Sequence, residues 1–180
     1  MTQSVEAPAA PPAEATRGHV RAFVFWGAAL VVVALDQVTK AIIRANLERG
    51  ESWPSADWPV KIRYVTNTGA AFGILGDMTV FLIAMTFLGL AAIYLYYRNP
   101  PFDHWVGAAA IGMMLGGACG NLIDRVRLGR VADFIDFPHF PAFNVADSSI
   151  SVGITIIVLG YLLFSEHARA APRVSSHEDG

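Results

Sequence analysis

Three long runs without a charged residue decide what this chain can fold into: Met78 to Tyr97, Trp105 to Ile123 and Ser148 to Ser165, of 20, 19 and 18 residues. A bilayer core about 30 Å thick is crossed by roughly 20 apolar residues as helix, and a helix satisfies its own backbone polar groups inside lipid. Each run is therefore a predicted transmembrane helix. A fourth run, Ala22 to Leu35, is only 14 residues long, a length that also suits a signal-peptide core. No A-x-A pattern follows in Val33-Ala34-Leu35-Asp36, and the apolar pattern resumes through Val38, Ala41, Ile42 and Ile43. The span is thus read as Ala22 to Ile43, with Asp36 and Lys40 one turn apart, Lys40 snorkelling to the interface and Asp36 lying deeper.

Composition agrees with this reading. Charged residues make up 16% of the chain and hydrophobic ones 54%, with a mean hydropathy of +0.44, whereas soluble domains carry about 25% charged residues. Thirteen basic against 15 acidic residues leave no basic excess for holding nucleic acid. The single cysteine, Cys119, excludes an intrachain disulfide and a Cys-based zinc cluster, and its setting in Leu115-Gly116-Gly117-Ala118-Cys119 reads as small-residue helix packing. The expected fold is a mainly α integral membrane protein with four transmembrane helices, about 22–43, 78–97, 105–125 and 147–165. A small extramembrane β-rich cradle is expected at about 44–77, between helices one and two. Residues 18–167 form the single membrane-embedded domain, flanked by a disordered Ala/Pro-rich tail at 1–17 and a flexible tail at 168–180.

An even number of spans puts both termini and the short Arg98–His104 link on one face, and the two long segments on the other. That second face gathers nearly all the unusual polar residues: Asp36, Asn67, Asn121, Asp124, Arg125, Asp133, Asp136, Asn144 and Asp147. Ionisable groups near lipid are costly, so a cluster of them points to function. Simpler roles remain open for several. Asp147 before Ser148-Ser149 could cap span four, Asp136 reads as a solvated loop carboxylate, and Arg125 beside Asp124 could form a structural ion pair.

Asp133 and Asp147 differ in sitting among apolar neighbours, Val131-Ala132-Asp133-Phe134-Ile135 and Phe143-Asn144-Val145-Ala146-Asp147, surroundings that raise a carboxyl pKa by desolvation. Two such carboxyls brought together cannot both ionise cheaply, so one stays an acid while the other acts as a base, which equips a site to activate water against a peptide bond. H-E-x-x-H and G-x-S-x-G are absent from the sequence. His139 with Asp133 and Asp136 is the alternative metal set, but it lies between phenylalanine–proline breaks. A non-enzymatic four-helix carrier or assembly module, using the carboxylates for protons or ligand, is the competing reading. Ile62-Arg63-Tyr64-Val65 is strand-like, Asn67-Thr68-Gly69 has turn chemistry and Ala70 to Leu75 is apolar again, suggesting a small sheet on the membrane that could hold an extended peptide or be a structural hairpin. Trp53 and Trp58 suit the interface.

Five segments in order, Asp36-Gln37-Val38-Thr39-Lys40, Asn67-Thr68-Gly69-Ala70-Ala71-Phe72, Gly120-Asn121-Leu122-Ile123-Asp124-Arg125, Gly129-Arg130-Val131-Ala132-Asp133-Phe134 and Phe143-Asn144-Val145-Ala146-Asp147, resemble the sequence boxes of the bacterial lipoprotein signal peptidases (signal peptidase II). The resemblance covers about residues 22–165. It implies an aspartyl endopeptidase that cuts signal peptides from diacylglyceryl-modified prolipoproteins just before the lipidated cysteine, with Asp133 and Asp147 as the catalytic pair. Asn67, Asn121, Arg125 and Asn144 would hold substrate or orient the aspartates, Asp124 would belong to the structural polar network and Asp36 would support the site. No metal or cofactor is implied. The implied partners are the lipidated precursor and membrane lipid, around a monomeric enzyme. Its place would be the inner membrane, with both termini cytoplasmic and the site periplasmic. The basic residues point the other way: five on the terminal face (Arg17, Arg21, Arg98, Arg169, Arg173) against eight on the other (Lys40, Arg44, Arg49, Lys61, Arg63, Arg125, Arg127, Arg130).

Overall fold

A computed structural model describes residues 12–54, 58–69, 78–99 and 104–170. Four helices, α1 (Pro12–Asn46), α2 (Thr79–Arg98), α3 (Trp105–Leu128) and α4 (Val145–Ala170), are joined by three short strands, β1 (Ser52–Trp53), β2 (Lys61–Asn67) and β3 (Val131–Asp136). All four helices are long and apolar enough to cross a membrane. Their outward residues have the inverse of soluble patterning: Phe23, Leu30 and Val80 are 80%, 71% and 79% exposed, as lipid-facing side chains should be.

Helix α3 is the hub, with half of its apolar stretch buried against 6% for α2. Small residues allow this. Gly112, Gly116 and Gly120 line the face towards α1, where added Cβ atoms would meet the Phe25 carbonyl, the Ala29 carbonyl at 2.5 Å and the Asp36 carboxylate at 2.5 Å. Gly117 does the same towards the Ala146 carbonyl of α4. Backbones thus approach closely where lipid supplies no hydrophobic drive. By contrast α2 leans mainly on α3, tied by a Thr79 Oγ1 bond to the Gly129 carbonyl at 2.8 Å and by the Arg21 guanidinium donating to the Tyr97 carbonyl. Phe25 stacks on Tyr97 with ring centroids 4.1 Å apart.

The sheet is antiparallel in the order β1-β2-β3, with Asn67 opposite Val131 and Val65 opposite Asp133, and an irregularity between Ile62 and Val65. Its third strand therefore comes from the segment after α3, where the sequence suggested a sheet confined to 44–77. The reason is topological: the parity of the spans puts both segments on one face, and β3 finds its partner there. Expected residues Ala70 to Leu75 lie outside the described ones.

Helix bounds also differ from expectation. Helix α1 starts at Pro12, not Ala22, so residues 12–17 of the expected tail are helical; proline suits a first helical turn and Ala-Glu-Ala favours continuation. Residues 1–11 lie outside the described ones. Helix α4 runs to Ala170, past the expected limit of 165, through residues with no helix breaker. Helix α3 ends at Leu128 because Gly129, at φ 68°, takes the left-handed capping conformation and donates to the Arg125 carbonyl.

Candidate active site

The site is built on the first turn of α4. Asn144 precedes the helix, and its Oδ1 accepts from the Asp147 N–H at 3.0 Å, while Asp147 Oδ2 accepts from the Asn144 N–H at 3.2 Å. This is a reciprocal capping box. The helix cap is therefore Asn144, and Asp147 occupies the third helical position, because the helix begins at Val145, two residues before the start at 147 that the sequence suggested. Its other oxygen, Oδ1, accepts from Asn121 Nδ2 at 2.8 Å. Asp36, from α1, accepts from the Ala146 N–H at 3.1 Å, satisfying a further unpaired donor of the same turn.

Beneath this turn lies a closed charge cluster. Lys40 and Asp36 are fully buried and paired at 2.9 Å, and Lys40 also pairs with Asp124 at 3.3 Å. Arg44 reaches Asp124 from the other side at 3.4 Å, and Asp124 Oδ2 accepts from the Ala132 N–H at 3.1 Å, anchoring β3 to α3. Two expectations are corrected. Lys40 does not snorkel, because Asp36, Asp124 and Asn121 meet its ammonium inside the bundle. Asp124 pairs with Lys40 and Arg44 rather than with Arg125. Buried charge of this kind persists only when fully paired, and among the described residues no buried side-chain nitrogen or oxygen lacks a hydrogen-bond partner.

Asp133 projects from β3 and is 3% exposed. Its Oδ1 accepts from Asn144 Nδ2 at 2.7 Å, and its Oδ2 from Asn67 Nδ2 at 3.1 Å. Asn67 is held in turn by accepting from the Gly69 N–H at 2.7 Å, the Asx turn foreshadowed by Asn67-Thr68-Gly69. Asp133 stands outside the spanning helices, and burial first, then the charge of Asp147, push its carboxyl from 3.8 to about 6; the bonds from Asn67 and Asn144 and the charge of Lys40 oppose this. One asparagine, Asn144, thus joins both carboxylates, by its side chain to Asp133 and by its backbone to Asp147.

Seven of the eight expected site residues, Asp36, Asn67, Asn121, Asp124, Asp133, Asn144 and Asp147, belong to this one network. The eighth, Arg125, stands apart within charge reach of Asp147 and Asp133. With Asn121 and Asp147 it forms the polar end of a cavity of about 690 Å³ between α2, α3 and α4. Apart from Thr86 and Tyr96 the rest of that cavity is apolar, including Met85, Gly89, Met114, Ile154 and Ile157. Asp136 is the last residue of β3, not a loop residue, and pairs with Arg63 at 3.7 Å. His139 lines a separate cleft with Trp58, Lys61 and Asp136. Among the described residues no three His, Cys, Asp or Glu side chains are grouped to hold a metal ion.

Residues 28–163 match the family model described as signal peptidase (SPase) II. The chain belongs to the signal peptidase II family. A lipoprotein signal peptidase of Dehalococcoides mccartyi is 46% identical over 149 residues, covering 81% of this chain and 92% of that protein. Another, from Caldanaerobacter subterraneus, is 48% identical over 134 residues, covering 73% and 90%. A solved structure of a bacterial membrane enzyme, obtained by the in meso method, superposes with a TM-score of 0.70 at 33% identity, over 85% of this chain and 91% of that one. In this signal peptidase II relative the sequence also left Gln37, Lys40 and Arg44, whose side chains join the network, without a site role. Lys40 and the Ala132 N–H are visible only once α1, α3 and β3 are packed. Gly120, whose missing side chain makes room for Asp36, could have been found from the Gly112-Gly116-Gly120 spacing.

Proposed function

We propose that this protein is an aspartyl endopeptidase that removes signal peptides from diacylglyceryl-modified prolipoproteins, cutting just before the lipidated cysteine. The observation that carries the reading is a pair of carboxylates, Asp133 and Asp147, bridged by one asparagine, with Asp147 at the polar end of a mainly apolar groove. Burial and the Asp147 charge push the Asp133 carboxyl up to about 6, so Asp133 keeps a proton to higher pH than an ordinary carboxylate does. The ionised carboxylate takes a proton from water as its oxygen adds to the scissile carbonyl, and the protonated one supplies a proton to the tetrahedral intermediate. Collapse breaks the C–N bond, leaving a carboxylate on the signal peptide and an amine on the cysteine. Arg125, on the groove wall, stabilises oxyanion charge or holds the substrate backbone, while Asn67, Asn121 and Asn144 orient the aspartates. The groove keeps acyl chains in an apolar setting while the peptide bond reaches the polar end.

The site faces the periplasm, the termini face the cytoplasm, and the enzyme acts as a monomer in the inner membrane. The excess of basic residues on the site face does not count against this: Lys40, Arg44 and Arg63 are committed to Asp36, Asp124 and Asp136, which reduces eight to five and equals the terminal face.

Purified protein in detergent, given lipidated and unlipidated precursors, tests the reading. The lipidated precursor is expected to be cleaved, with Asp133→Asn and Asp147→Asn inactive and chelator without effect. Full turnover by either variant refutes the assignment. Ligand or proton flux without proteolysis would support a carrier instead.

A further inference from the structure

Asparagine can present either an oxygen or an amino group to a neighbour, so a site oriented by asparagines needs something that fixes which end faces which way. Here each carboxylate oxygen of Asp133 and Asp147 is met by a donor, and two of those donors are the Nδ2 groups of Asn121 and Asn144. A flip of Asn121 would turn an oxygen towards Asp147, placing two acceptors against each other.

Lys40 forbids that flip. Its ammonium is a donor with no accepting capacity, it is fully buried, and it lies 2.8 Å from Asn121 Oδ1. Asn121 must keep its oxygen on Lys40 and therefore its Nδ2 on Asp147, at 2.8 Å. The same oxygen accepts from Asn144 Nδ2 at 3.1 Å, so the amino end of Asn144 is also fixed, 2.7 Å from Asp133 Oδ1. The opposite end of Asn144 accepts from the Asp147 N–H, which agrees with this polarity. One cation thus sets the donor direction on both carboxylates without touching either.

Resting on the reading of Asp133 and Asp147 as the catalytic pair, we infer that Lys40 is a positioning residue of this peptidase, a buried cation that fixes the amide polarity of Asn121 and Asn144 and so the geometry of both aspartates. The ammonium faces Asp36 from its own helix and Asp124 and Asn121 from α3. Arg44 approaches Asp124 from the far side, Asp133 of β3 lies within its charge reach, and Asp147 of α4 is reached through Asn121.

Lys40→Met tests this, paired with the double variant Lys40→Met/Asp36→Asn, which removes the cation and one partner carboxylate together. The expected result is a loss of kcat on the order of 100-fold, as for a misaligned reacting group, in both variants, with KM little changed. The double variant should melt close to wild type. Residual activity should show its acid limb at higher pH, because the lost cation favoured ionised carboxylate. Loss beyond detection in a double variant that melts as wild type supports the same role, since the fold has then survived without the function. A kcat within about threefold of wild type in either variant overturns it. So does a residual pH profile that has not moved, or a double variant that fails to fold, which would make Lys40 structural only. Asp133→Asn and Asp147→Asn run alongside separate the two ideas. If those variants cleave, the catalytic pair is wrong; if they are dead while the Lys40 variants cleave, only the positioning role falls.

Discussion

Replacing Asp133 with asparagine should change how the folded state responds to pH as well as stopping cleavage. Burial and the nearby Asp147 charge hold the Asp133 carboxyl at about 6 instead of 3.8. Between those two values the native state keeps a proton that the unfolded chain has released. Stability therefore falls as pH rises through this window, and the full penalty is present above about pH 6. From 3.8 to about 6, at about 1.4 kcal/mol per pH unit, the penalty is about 3 kcal/mol. Asparagine escapes it because it does not ionise. The substitution has a cost of its own, since an amino group would face Asn67 or Asn144, donor against donor, at about 1–3 kcal/mol independent of pH. The discriminating quantity is therefore the pH slope of the difference between the two proteins. Unfolding of detergent-solubilised protein from about pH 3 to about pH 7.5 should show Asp133→Asn gaining on wild type by about 3 kcal/mol. At about 2–4 °C per kcal/mol that is roughly 6–12 °C in Tm. A difference that does not change with pH, or that changes in the opposite direction, would refute the burial argument.

Two substitutions probe the scaffold and the groove. Gly120→Ala places a methyl 2.5 Å from Asp36 Oδ2 and 3.0 Å from its Cγ, forcing α1 from α3. It should cost about 1–3 kcal/mol of overpacking and lower cleavage with it, and an unchanged melting temperature in detergent would contradict the close approach. Gly89→Trp fills the groove from α2, at a position where an added Cβ meets nothing within 4 Å. KM for the lipidated precursor should rise while the melting temperature holds or increases; unaltered steady-state kinetics would exclude the groove as the lipid-binding surface.

The spans were legible because uncharged runs of bilayer length have few alternative readings, and parity alone carried the polar residues to one face. Asp133 and Asp147 were legible as carboxylates among apolar neighbours, and Asp133 is indeed pushed up by burial. What stayed hidden depends on contacts far apart in sequence. Treated within α1 alone, Lys40 should escape towards water; its acceptor Asn121 lies 81 residues on, and nothing local predicts their meeting. Strand β3 was missed for a related reason. Four of its residues in succession are buried on both faces, Val131 to Phe134, so the alternation that betrays a half-buried strand is absent. The start of α4 was misplaced because Asp147 is as good a cap by composition as Asn144, and only the reciprocal bonds distinguish the two.

Because α2 leans on α3 and leaves the groove beside α4 uncovered, Asp147 can be approached sideways, within the plane of the bilayer. For a substrate that arrives this way, the quantity governing encounter is its mole fraction among surrounding lipids, not its amount per volume of solution. Lipid or detergent added at constant bulk concentration then acts as a diluent, lengthening the search without altering a residue of the site. The rate at which such an enzyme works is set in part by how crowded its own membrane is.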